Sequence, residues 1–177
     1  MERELRRNQN LLYCVGTGVI MFGLWNVIKG IVTIFLQRDE LILLFETIKA
    51  SLTPDKADYF VSTFTLVCII IGIIIGVLLL MHICVGLSAR KEGMGRRKKD
   101  RVAYLVVAVI LMVLTAATVV IEIPTLFKSP EGLLDEIVTV IVDVTCLVVI
   151  IELIVTGIKV RKLKRKLNEE KKEEGSS

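Results

Sequence analysis

Five ionisable side chains, Lys29, His82, Glu122, Asp143 and Glu152, fall inside stretches of this chain that are otherwise almost wholly apolar. An ion at the centre of a bilayer costs about 2.5–3.5 kcal/mol on insertion scales, so such groups face protein or water and find partners. Depth decides which partners are within reach. At 1.5 Å of rise per residue, Lys29 and Asp143 each lie roughly 10 Å from the outer end of their stretches, with Glu122 slightly shallower. Asn26 shares that outer cluster. His82 and Glu152 match in depth on the inner side. Asp143 and Glu152 fall on opposite faces of one helix, so they cannot serve a single site. The depth match therefore predicts two pairs, Lys29 with Asp143 and His82 with Glu152, and leaves Glu122 over or sharing Lys29.

Two kinds of work are open to such groups. Buried ion pairs fix how helices seat against each other. A histidine and a surplus carboxylate can instead carry a proton or bind a cation along a polar path. Metal binding is a weaker option. Cys14, His82, Cys84 and Glu152 have similar depth and zinc-compatible donors. However, His82 and Cys84 at i, i+2 point to different faces, so no metal and no cofactor are expected. Nor does the chain contain GxSxG, HExxH, a P-loop or a dinucleotide fingerprint, and it has one histidine. The expected function is non-enzymatic.

The elements that must hold these groups are long and apolar. Of 177 residues, 54% are hydrophobic, and a helix needs about 20 such residues in succession to cross a bilayer. The spans read as residues 11–36, 60–88, 102–127 and 137–158, within a membrane domain of residues 1–158. The first is too long for a signal peptide and is expected to be retained as an anchor. The four cysteines fall inside spans, as small apolar residues rather than disulfide partners. Between the first two spans, residues 39–52 place Leu41, Leu44, Phe45, Ile48 and Leu52 at helical spacing, predicting a short amphipathic helix on the outer surface.

The net charge of +4 hides a steep asymmetry. Basic residues crowd before span one, between spans two and three, and after span four, and are sparse in the other two loops. Lys and Arg mark the cytoplasmic side, which predicts a four-helix transmembrane bundle with both termini cytoplasmic. The short loops fit a prokaryotic cell membrane. Residues 91–100 read as a flexible loop. Residues 159–177 read as a basic tail that frays as a helix near Leu167 and ends disordered from Glu169. Arg96, Arg97, Lys98, Lys99, Lys162, Lys164, Arg165 and Lys166 should attract anionic headgroups. Nucleic acid is not an expected partner, because no aromatics accompany these charges.

Gly16, Gly23 and Gly30 make one stripe on the first span, and Gly72 and Gly76 form a GxxxG on the second. Small residues let helices approach closely, within one chain or between two. Ala108, Thr115 and Glu122 make a comparable stripe on the third span. "TPD" from Thr53 and "SPE" from Ser129 offer alike helix starts, and "GLSARK" from Gly86 matches "GIKVRK" from Gly157. These matches suggest two related helical hairpins, the kind of internal repeat found in transporter folds. The leading expectation is a protein that acts by association with itself, a membrane partner or lipid. The alternative is an oligomeric ion- or proton-coupled transporter or channel that uses the intramembrane charges.

Overall fold

A computed structural model describes residues 1–95, 102–124 and 133–174, and these are all-helical. Five helices follow in order: α1, Glu2–Leu36; α2, Arg38–Ala50; α3, Pro54–Gly93; α4, Ala103–Glu122; and α5, Leu133–Glu174. All but α2 are long and apolar enough to span a membrane. A helix satisfies its own backbone hydrogen bonds, which is why it is the form that such sequences take in lipid. The 20 residues of α4 give about 30 Å of rise, matching the hydrocarbon core. The 35, 40 and 42 residues of α1, α3 and α5 give roughly 50–60 Å, so these helices run well beyond it.

Helix ends are where the structure departs from expectation. α3 continues through Lys91, Glu92 and Gly93, where a loop was expected, and then stops as Gly95 takes a positive φ of 69°. That left-handed conformation suits glycine and closes helices. α5 continues to Glu174 rather than fraying near Leu167. Along that extension Arg165 and Glu169 pair at i, i+4 (3.5 Å), a small aid to an exposed helix. α4 ends at Glu122 in a short turn at 123–124, set by Pro124, which cannot continue a helix. α3 begins at Pro54 behind Thr53, the predicted Pro-at-N1 start. The "SPE" start, most of the loop after Gly95 and the last three residues lie outside the described residues.

The chain forms two compact units, Met1–Phe22 with Met81–Ser177, and Gly23–Leu80. In the first, the buried residues recur every three or four positions on each helix. Leu12, Gly16 and Val19 do so on α1, and Val85, Ala89 and Glu92 on α3. Leu105, Ala108 and Leu111 follow on α4, and Asp143, Cys146, Ile150, Leu153, Gly157 and Val160 on α5. This is the spacing of a narrow helix–helix seam. In the second unit α2 meets α3 through a ring cluster. Phe45 lies 5.4 Å from Phe60 and 5.0 Å from Phe64, centroid to centroid. Those distances are typical of favourable aromatic pairs. α2 has no buried residue, so Leu41, Leu44 and Ile48 of its apolar face stay exposed.

Candidate functional site

The polar side chains at the basic end of the first unit are placed by two close helix crossings. At the first, α1 and α3 touch backbone to backbone. A Cβ added to Gly16 would lie 2.9 Å from the Gly86 oxygen and 3.0 Å from Ala89 Cβ. One added to Gly86 would meet Ile20 and lie 2.5 Å from the Gly16 oxygen. One added to Gly93 would lie 2.6 Å from the Gln9 oxygen and 2.8 Å from the Tyr13 nitrogen. No larger residue fits such an approach without moving a helix. One turn below Gly86, Arg90 reaches back to α1. Its Nη2 donates to the Tyr13 hydroxyl (2.9 Å), and its guanidinium sits 4.9 Å from the centre of the Tyr13 ring.

The second crossing joins α4 and α5. A Cβ on Gly157 would lie 2.9 Å from the Tyr104 hydroxyl and 3.0 Å from Leu105 Cδ2. One turn below Gly157, Arg161 sits 5.2 Å from the centre of the Tyr104 ring. Its Nε also donates to Glu92 Oε1 at 3.4 Å, tying α5 to α3. The Glu92 side chain is 3% exposed and that of Arg161 16%, so the pair is largely removed from water. Removing water costs both charges several kcal/mol, and their mutual attraction offsets part of it.

Glu92 was missed from sequence because "KEGMG" reads as a loop. The signal that could have found it is the seam itself: His82, Val85, Ala89 and Glu92 continue one spacing past the apolar stretch. Gly86, Gly93 and Gly157 were likewise not among the predicted packing glycines. Of those that were, Gly16 sits in the α1–α3 crossing and Gly23 is buried. Gly30, Gly72 and Gly76 differ: an added Cβ at any of them meets no atom within 4 Å.

The intramembrane charges belong to both units. Lys29, half-buried, and Asn26, exposed, belong to the second unit, whereas Asp143, buried, and Glu122, half-buried, belong to the first. The Lys29–Asp143 pair therefore rests on matched depth. Glu122 follows Ala108 and Thr115 on the α4 stripe. His82 is buried, whereas Glu152 lies on the exposed side of α5, so these two agree in depth and differ in burial. Cys14 and Cys84 are also exposed, and no metal-binding group of three His, Cys, Asp or Glu side chains forms among the described residues. Of the predicted lipid contacts, Lys162, Arg165 and Lys166 are exposed and Lys164 is half-buried. Arg96, Arg97, Lys98 and Lys99 lie outside the described residues.

No protein-family model, curated protein or solved structure matches this chain.

Proposed function

We propose that this chain is a non-catalytic, four-span protein of the cell membrane, both termini cytoplasmic, that acts by lateral association, first with a second copy of itself. The observation that carries the reading is the state of α3. Its most apolar 18-residue stretch contains no buried residue, and Gly72 and Gly76 leave an open notch on it, flanked by β-branched Ile73, Ile74, Ile75 and Val77. Elsewhere the chain uses glycine for close crossings, and a GxxxG notch is shaped to receive another helix. Glu152 adds support. An exposed carboxylate within the apolar run of α5 is costly against acyl chains and favours a polar partner from outside the chain.

The test is oligomeric mass in mild detergent for the natural protein and for Gly72→Ile with Gly76→Ile. A natural oligomer that falls to monomer in the double variant is expected. A natural protein that stays monomeric across concentration overturns self-association.

Two further readings belong here. The α1–α3 and α4–α5 pairs are read as related hairpins, supported by the shared Gly-x-x-x-Arg and tyrosine arrangement at both crossings. Ion- or proton-coupled transport is the second functional reading, favoured by the burial of His82 and Asp143. Reconstituted flux that collapses on Glu122→Gln or Asp143→Asn would establish it, and flux equal to that of empty liposomes would remove it.

A further inference from the structure

Where α1 and α5 run past their apolar stretches, they form an open groove of about 230 Å³ lined by Glu4, Arg7 and Asn8 of α1 and Lys159, Lys162 and Lys166 of α5. Four basic groups thus converge against a single acid. The three lysines share one face of α5, at spacings of three and four. Drug-sized ligands occupy about 300–1,000 Å³, so this volume suits a compact anionic group. Its position is equally informative. Lys159 directly follows Ile158, the last residue of the fourth apolar stretch, and Asn8 precedes Leu11 by less than one turn. Lys166 lies roughly 10 Å further along the helix, and the headgroup layer is about 5–7 Å deep on each side of a bilayer. The groove therefore begins at the edge of the hydrocarbon and reaches through the headgroup layer. Within the apolar stretch the same two helices approach each other, a Cβ on Gly18 lying 3.5 Å from Val149 Cγ1.

We propose that this groove binds the phosphate of an anionic membrane lipid, held by Arg7, Lys159 and Lys162, with the acyl chains alongside α1 and α5. The site is more specific than a basic tail. It recruits Arg7 and Lys159, and it leaves out Lys164 and Arg165, the latter paired with Glu169. Glu4 opposes the ligand and weakens binding. The proposal does not depend on self-association.

The test uses the full chain in mild detergent, titrated separately with phosphatidylglycerol, phosphatidylcholine and inorganic phosphate, with retained lipid counted by native mass spectrometry. A basic residue near an anionic surface contributes roughly fivefold in affinity. Arg7→Gln, Lys159→Gln and Lys162→Gln together should lower phosphatidylglycerol retention at least tenfold more than Lys164→Gln, Arg165→Gln and Lys172→Gln, which remove the same charge outside the groove. Glu4→Gln should raise retention severalfold, a gain that misfolding does not produce. Equal losses in the two triple variants would show diffuse attraction and overturn the site. So would equal retention of phosphatidylcholine, or displacement of the lipid by millimolar phosphate, which would assign the groove to a soluble anion.

Discussion

The crossing of α1 with α3 and that of α4 with α5 use the same three residue types to different ends. Each has a glycine at the contact, an arginine one turn below it and a tyrosine from the facing helix under that arginine. In the first, glycines on both helices bring backbone against backbone, and Arg90 goes no further than the Tyr13 hydroxyl. In the second, glycine faces the movable end of a tyrosine, and Arg161 extends to a buried carboxylate on a third helix. One crossing is held by shape and the other by charge. The same residue types thus frame both crossings, and a single acid, Glu92, gives the α4–α5 crossing a link that the α1–α3 crossing lacks.

The largest effect should come from breaking the charged crossing. Replacing Arg161 by Met takes the guanidinium away from the buried Glu92 carboxylate, and removing one member of such a pair costs about 3–5 kcal/mol. Arg161→Met combined with Glu92→Gln should recover most of that loss, because the two desolvation costs vanish together. Unfolding in detergent, compared across the double-mutant cycle, checks this. If the double variant falls by the sum of the singles, Arg161 and Glu92 are not a unit.

Next comes the shaped crossing. Gly86→Ala places a methyl against the Gly16 backbone oxygen and Ile20, and overpacking of this kind costs about 1–3 kcal/mol. It should reach the upper end, since backbone cannot rotate away. Gly157→Ala meets the Tyr104 hydroxyl and Leu105 Cδ2, both side-chain ends, and should sit at about 1 kcal/mol or less. Equal losses at the two glycines would remove the distinction between the crossings. A comparable but smaller separation is expected for Asp143→Asn alone against Asp143→Asn with Lys29→Met. The double variant should be the better tolerated, by about 1–2 kcal/mol, if matched depth reflects a pair.

How far these features were legible depends on direction. Position along the membrane normal follows from counting residues, so four apolar helices could be read from composition alone. Rotation about each helix axis could not, because it is set by neighbours that are distant in sequence. Glu152 shows this: its depth matches His82, yet it sits one residue away from the Asp143–Cys146–Ile150–Leu153 seam and faces outward. Glu92 shows the same limit at a helix end. The seam spacing on α3 reaches it, but the cation that it meets, Arg161, lies 69 residues later in the chain. The glycines divide likewise. GxxxG is conspicuous in the sequence but open in this chain, whereas Gly86 and Gly157 open matching Gly-x-x-x-Arg stretches whose close packing the sequence does not reveal, and Gly93 packs closely with no such pattern.

The finest test of the comparison separates charge from geometry at the arginines. Arg90→Lys keeps the positive charge but removes the planar fork that both stacks on Tyr13 and donates to its hydroxyl. The cation–π contribution at a partly buried site is about 1 kcal/mol, and α1 and α3 remain locked by their glycines. The loss should therefore stay near 1 kcal/mol in detergent unfolding. Arg161→Lys faces a harder task, since its ammonium must reach Glu92 from Tyr104 without the guanidinium's breadth, and it should lose about twice as much. If Arg90→Lys proves the more damaging, the α1–α3 crossing depends on its arginine after all, and shape alone does not hold it.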